Sequence, residues 1–341
     1  MKPRTSRPVR AVGKLFLRLG VTSALITWLF YRTDWHHFWS IAHAGRPVWL
    51  VLAFGTHFIG MGLSVVRWRL LLQAVAIPLP WSAALWALMK GAFYNTFLPT
   101  AIGGDVVRIH QVSQWTRRLG ATATTVVVER WMGLVAMLLL LGLGLFSAIG
   151  PVIVPVFLLS VASVGLPVVG YAAVYKLGQR LRRHAPWDRL FRKLQTVHDA
   201  LMTYRRDRLT MLRALAWSIA IQLDVVLYYW LIGQAFRVPT SFLGFAVLVP
   251  LVQVASLVPI SLWGLGLREA VFFQVAPFFG MLSEQGFIVS LVASVMGMLF
   301  NMLGLPMALG SYPSAETLPA DADRPRPWAL EVPEKRDGVM E

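Results

Sequence analysis

Residues 121–147 read ATATTVVVERWMGLVAMLLLLGLGLFS, and their reading decides what kind of fold the chain can adopt. A helix of about 20 apolar residues crosses the ~30 Å hydrocarbon core of a bilayer, and this stretch is long enough. Only Glu129 and Arg130 interrupt it. At 1.5 Å per residue they lie ~12 Å beyond Ala121, well inside the hydrocarbon. A charge at that depth is costly and marks a functional position by default. Adjacent residues point to different sides of a helix, so the two cannot neutralise each other. Each needs a partner from another segment.

The rest of the chain has the same character. Of its 341 residues, 57% are hydrophobic and 14% charged, against about 25% charged in soluble domains. Further full-length spans are expected at 12–31, 48–73, 151–175, 210–236 and 286–311. The first of these runs on into Tyr31 and Arg32 without a small-residue cleavage site, so it reads as an uncleaved span. The absence of cysteine excludes a disulfide framework and thiolate metal sites.

Two apolar stretches are built differently. Residues 81–98 run into Pro99, then Gly103 and Gly104, then a polar helical piece through Gln114. Residues 240–258 run into Pro259, then Gly264 and Gly266, then Leu267–Gly280. Each reads as two half-helices with a Pro/Gly break. Charge decides how they sit. Lys+Arg outnumber Asp+Glu by 32 to 16, and the excess is clustered. Residues 1–18 hold Lys2, Arg4, Arg7, Arg10, Lys14 and Arg18 and no acid, which places the N-terminus in the cytoplasm. Residues 176–213 hold eleven Lys and Arg against Asp188, Asp199 and Asp207, and belong on the same side. Both clusters face the cytoplasm only if 81–118 is a re-entrant hairpin and not a pair of crossings. By the same logic 240–280 enters from the opposite face. The expected fold is all-α: a polytopic membrane helix bundle of about six full spans plus two re-entrant broken-helix hairpins in an inverted repeat. Its parts are a basic cytoplasmic N-terminus (1–11), a transmembrane domain (12–311) and a tail (312–341) whose Pro, Ala and charge content predicts disorder. Leu190, Leu194, Val197 and Leu201 recur at helical spacing and predict an amphipathic helix on the anionic inner leaflet.

Non-helical backbone at membrane depth survives where it lines a cavity or is covered by protein. The turns at Gly103, Gly104, Gly264 and Gly266 permit close approach of a ligand, and the half-helices that follow point N–H groups at anions. Asp105 and Arg108 adjoin the first turn, Arg268 and Glu269 the second. With Glu129, Arg130 and Asn95 they make the candidate substrate-binding set, a polar cavity of headgroup size. Helix capping and interfacial snorkelling are the alternative for these charges, and a structural ion-pair network for Glu129 and Arg130. Asp224, ~15 Å into its span, is a candidate proton carrier, with a structural hydrogen bond as the alternative. Arg67 and Arg69 are expected to snorkel at the cytoplasmic interface. His57, Gln253 and Asn301 are intramembrane polar residues that could line a cavity, with hydrogen bonding between helices the main expectation. His36 and His37 lack carboxylate or thiolate support, so no metal is expected. The basic run has few aromatics for stacking, so no nucleic acid is expected either. No Gly-rich phosphate loop or catalytic triad order is present, and no cofactor is expected.

Five motifs occur in order: Arg67-Trp68-Arg69; Phe93-Tyr94-Asn95-Thr96-Phe97-Leu98-Pro99; Gly103-Gly104-Asp105-Val106-Val107-Arg108; Glu129-Arg130-Trp131-Met132-Gly133-Leu134; and Gly264-Leu265-Gly266-Leu267-Arg268-Glu269-Ala270. Together they resemble the lysylphosphatidylglycerol synthase transmembrane region, the flippase-like domain of the multiple peptide resistance factor and its stand-alone relatives. The resemblance covers residues 12 to 311. It implies a domain that moves a modified lipid between leaflets. The cytosolic aminoacyl-transfer domain of the full-length enzymes has no counterpart here, so synthase activity is not implied. Pro259-Ile260-Ser261-Leu262-Trp263-Gly264 departs from the more glycine-rich turn of relatives. The function expected is a flippase-like transporter, not an enzyme, in the inner membrane, moving a phospholipid, modified phospholipid or glycolipid headgroup. The rivals are a lipid-binding accessory protein that moves nothing and a membrane-embedded lipid-modifying transferase. Expected partners are membrane lipids and the anionic inner leaflet. A second copy of the chain and a separate lipid-modifying enzyme are candidate protein partners.

Overall fold

A computed structural model describes residues 6–98, 103–149, 204, 207–256, 266–310 and 312. The expected span 151–175, the amphipathic stretch 190–201, the turn residues Pro99, Pro259 and Gly264, and nearly all of the tail lie outside these residues. Every regular element among the described residues is a helix. In chain order they are α1 (Ser6–Arg32), α2 (Trp35–His43), α3 (Pro47–Ala74), α4 (Trp81–Phe97), α5 (Gly103–Thr116), α6 (Leu119–Ile149), α7 (Arg208–Ala235), α8 (Phe242–Ser256), α9 (Leu267–Val275), α10 (Ser283–Met302) and α11 (Leu305–Leu309). A 3-10 turn, Ala276–Phe279, follows α9.

Four helices are long and apolar enough to cross a membrane: α3, α6, α7 and α10. Their outer faces carry large apolar side chains in the open, among them Val51, Phe58, Val127, Leu143, Leu212 and Leu299. Faces of that kind are covered by lipid in a membrane protein. The chain is therefore a multi-pass membrane protein. α1 coincides with the expected first span, though its opening turns carry Arg7, Arg10 and Lys14. The last span is shorter than expected, because Leu303 and Gly304 interrupt the helix after Met302.

The broken stretches are also helical on both sides of their breaks. α4 and α5 have 17 and 14 residues, about 25 and 21 Å of helix, each short of the ~30 Å core. They pack against each other, and the contact is backbone on backbone. A Cβ on Gly104 would lie 2.0 Å from the Gly91 carbonyl oxygen, so only glycine permits the approach. The Gly104 N–H donates to Asn95 Oδ1 at 2.7 Å. α8 and α9, with 15 and 9 residues, also pack against each other.

The two halves repeat each other closely. α3 and α7 both have 28 residues and, among the described residues, share the most extensive helix–helix interface. Each ends in the same turn. Ala76 (φ 57) and Arg237 (φ 52) are left-handed, and just beyond them Ile77 N–H donates to Leu72 O and Val238 N–H to Gly233 O, both at 2.9 Å. α4 and α8 begin at the same distance after that turn. Setting α5 and α6 on α9 and α10 start to start places Asp105 opposite Glu269, Glu129 opposite Ala293 and Arg130 opposite Ser294. The contacts obey this register. Arg67 bonds Glu129, and its counterpart Tyr228 donates to the Ala293 carbonyl at 2.8 Å. Asp105 pairs with Arg130, and Glu269 accepts from Ser294 at 2.6 Å. The Arg108 guanidinium lies 4.9 Å over the Trp68 ring, and the counterpart rings Phe272 and Tyr229 stack at 5.3 Å. Each half also has its own apolar cluster, one around Trp68, Leu72 and Ala84, the other around Ile232, Phe245 and Val289.

Candidate functional site: two guanidiniums on one intramembrane cavity

Five ionisable residues of the first half form one network, four of them buried. Glu129 on α6 takes Arg67 of α3 on one oxygen at 2.7 Å and Arg108 of α5 on the other at 2.8 Å. Arg108 also reaches Asp105 at 3.0 Å, and Arg67 donates to Ser218 of α7 at 3.0 Å. Asp105 completes the set by accepting from Arg130. Glu129 and Arg130 are thus both partnered from other helices, as their adjacency requires. The sequence reading missed Arg67. It expected Arg67 and Arg69 to snorkel together, yet side chains two apart on a helix diverge. Arg67 turns inward to Glu129. Arg69 turns the other way, bonding the Leu79 carbonyl at 2.8 Å and lying 4.7 Å over the Trp81 ring.

The second half holds a smaller cluster. Gly266 (φ 80) caps α9, and its N–H donates to Glu269 Oε2 at 2.8 Å. A positive φ of this size suits glycine and few other residues. Ser294 of α10 bonds Glu269 at 2.6 Å and accepts from Arg268 at 2.5 Å. Arg268 Nε makes no hydrogen bond, and the nearest carboxylate oxygen, on Glu269, is 3.6 Å away.

Between the two halves lies a cavity of about 810 Å³. Its walls come from α3, α6, α7, α8, α9 and α10 and are mostly apolar. Arg130 reaches it from the first half and Arg268 from the second, with His57, Gln222, Gln253 and Tyr228 among the other polar side chains. Exposure separates the roles. Arg67, Arg108, Asp105 and Glu129 side chains are 6–10% exposed, whereas that of Arg130 is 50% exposed.

The chain belongs to the lysylphosphatidylglycerol synthase TM region family. The family model matches residues 15–304, which contain all five motifs. No curated protein and no solved structure matches. A membrane lipid-related function follows for this family member.

The candidate residues divide three ways. Arg130 and Arg268 stand on the cavity wall. Asp105, Arg108, Glu129 and Glu269 stand behind it and hold those two arginines or the helices that carry them. Asn95, Gly103 and Gly104 pack α4 on α5, and Gly266 caps α9. Asp224 is not on the wall. It lies on the interface with α3, where a methyl at Gly60 would come within 2.6 Å of its carboxylate. Asn301 bonds between helices as expected, donating to Thr96 at 2.9 Å. His57 and Gln253 reach the cavity, and so do Tyr228 and Tyr229.

Proposed function

We propose that the chain is a flippase-like lipid transporter of the inner membrane, with the cavity between its halves as the headgroup site. One observation carries this reading: each half presents one guanidinium, Arg130 or Arg268, to the same largely apolar cavity. A planar donor fork suits a phosphate oxygen pair. A lipid moved between leaflets needs a polar path for its headgroup only, and the cavity is on the scale of small-molecule sites. Its position between two repeated halves fits alternating access by rocking of one half against the other. The topology supporting the reading has both hairpins re-entrant from opposite faces and residues 176–213 in the cytoplasm. The chain is read as a transporter and not an enzyme, because Asp105, Glu129 and Glu269 are engaged in ion pairs and hydrogen bonds.

The test is movement of labelled phosphatidylglycerol in proteoliposomes of the purified chain. Wild type should carry the label between leaflets well above empty vesicles. Arg268→Gln and Arg130→Gln should each slow this at least tenfold while remaining monodisperse with wild-type melting. Binding of lipid without movement would leave the accessory-protein alternative standing. Full movement by the double variant would remove the site assignment.

A further inference from the structure

A second cavity, of about 400 Å³, lies where α2, the start of α3, the end of α7 and α10 meet. It shares no lining residue with the central one, and its chemistry is different. No lining residue is ionisable or carries an amide or hydroxyl side chain, and Phe38, Leu50, Phe236, Ile288 and Leu291 are among its walls. The fold builds this groove through direct contacts. The Arg46 N–H donates to the Ala235 carbonyl at 3.0 Å, and a Cβ on Gly45 would stand 3.0 Å from the Phe236 ring. Phe38 packs on Phe287 of α10 with ring centroids 5.4 Å apart.

The groove runs inward from the membrane surface. Trp39, 56% exposed, belongs to α2, whose Trp35, Phe38 and Trp39 have the composition of an interfacial belt. Leu291 lies eight residues beyond Ser283, the first residue of α10, or ~12 Å along that helix. Walls without polar partners do not hold water. In a bilayer such a slot takes hydrocarbon.

The mouth adds charge. Arg46 precedes the lining residue Pro47, Arg237 follows the lining residue Phe236, and both are exposed. In the topology proposed above this end faces away from the cytoplasm, where arginine is scarce. The described residues on that side include three arginines, Arg32, Arg46 and Arg237, and two of them flank this groove. The acids and the histidine nearby leave both available. Asp34 caps α2 by accepting from the His36 and His37 N–H groups. Glu284 lies one turn from Ile288 on α10, yet no ion pair joins it to either arginine. His43 Nδ1 is 2.8 Å from the Trp39 carbonyl oxygen. Neither arginine is needed for its turn. Arg46 makes no capping bond to α3, and Arg237 stands at the left-handed position that Ala76 fills in the other half.

We propose that this groove is a resident-lipid site, holding one acyl chain of a glycerophospholipid whose phosphate sits at Arg46 and Arg237. Two guanidiniums suit a phosphodiester, and the groove is within the size range of small-molecule sites. The site is independent of transport through the central cavity.

Native mass spectrometry of the purified full chain reads the lipid it retains. Wild type should carry one phospholipid more than Leu291→Trp, in which the groove is filled. Stripped wild type should rebind phosphatidylglycerol and phosphatidylethanolamine at concentrations at least tenfold below diacylglycerol of the same chains, which lacks the phosphate. The double variant Arg46→Gln, Arg237→Ala should need at least tenfold more phospholipid for half occupancy. Arg32→Gln, at the far end of α2, should bind as wild type does. An unchanged lipid count in Leu291→Trp would overturn the proposal, as would diacylglycerol binding as well as phospholipid, or wild-type binding by the double variant. Should Leu291→Trp fail to fold, the double variant and the diacylglycerol comparison carry the test. A dimer that Leu291→Trp dissolves would assign the groove to a second copy of the chain and overturn the lipid. Loss of the retained lipid in Arg130→Gln or Arg268→Gln would place it in the central cavity, with the same consequence. Lipid movement in proteoliposomes tests the central cavity alone, so the two readings fail separately.

Discussion

Replacing Glu129 with alanine takes away the single carboxylate shown to face Arg67. That guanidinium, 10% exposed, would keep only the Ser218 hydroxyl. Arg108 would fare better, because Asp105 remains at 3.0 Å. Breaking a buried pair by removing one partner costs about 3–5 kcal/mol, since it strands the other charge. At roughly 2–4 °C per kcal/mol for a chain of this size class, melting should fall by about 10 °C. Arg130→Gln should lie near wild type by the same measure, because its side chain is half exposed and such pairs are worth about 0–1 kcal/mol. The repeat supplies a sharper test. In the second half the positions of Arg67, Arg108 and Glu129 hold Tyr228, Phe272 and Ala293, packed without any charge. The triple variant Arg67→Tyr, Arg108→Phe, Glu129→Ala should therefore recover most of what Glu129→Ala loses. Exchange of a buried ionic triad for packed apolar groups is often neutral or stabilising. The assay is thermal unfolding of purified variants, with monodispersity checked by size exclusion. A triple variant melting as low as the single one would refute the register. An unchanged Glu129→Ala would refute the claim that the network holds these helices together.

Gly104→Ala should destabilise by about 1–3 kcal/mol, as overpacking does, because its Cβ would meet the Gly91 carbonyl oxygen at 2.0 Å. Gly62→Ala, where a Cβ meets nothing within 4 Å, should be neutral, and equal melting of the two variants would contradict the α4–α5 contact. Reporter fusions at Gly178 and after Tyr312 should both score cytoplasmic, and a periplasmic signal at either would sink the re-entrant topology. Asp224→Asn should leave the fold intact and remove any dependence of lipid movement on a proton gradient. Unaltered proton dependence would show that Asp224 carries no proton.

How much of this was legible in the sequence follows the range of each interaction. Helix positions were readable because membrane spans depend on local apolar content, and α3, α6 and α7 match their expected bounds within a few residues. The two broken stretches were marked by their prolines and glycines, which act on the backbone where they stand. Pairing was harder. Glu129 and Arg130 announced a need for partners, yet which partners was a question of packing between α3, α5 and α6. Arg67 was hidden because its position near the end of a span suits snorkelling as well as burial. Only the direction of the side chain separates it from Arg69. The repeat was faint for a related reason. The halves keep their turns and contact positions but exchange the chemistry, Arg67 for Tyr228 and Arg130 for Ser294, so composition shows little of it.

That exchange gives the two sides of the cavity different chemistry. At the shared contact positions the first half uses charge and the second uses hydroxyls and rings. The second half also supplies Tyr228, Tyr229 and Phe272 to the cavity wall. Both halves nevertheless hold a guanidinium beside the acid at the same register, Arg130 on Asp105 and Arg268 beside Glu269. They reach that place from different backbone positions, α6 in one half and α9 in the other. A polar point is thus provided on each side of the pseudo-symmetric centre.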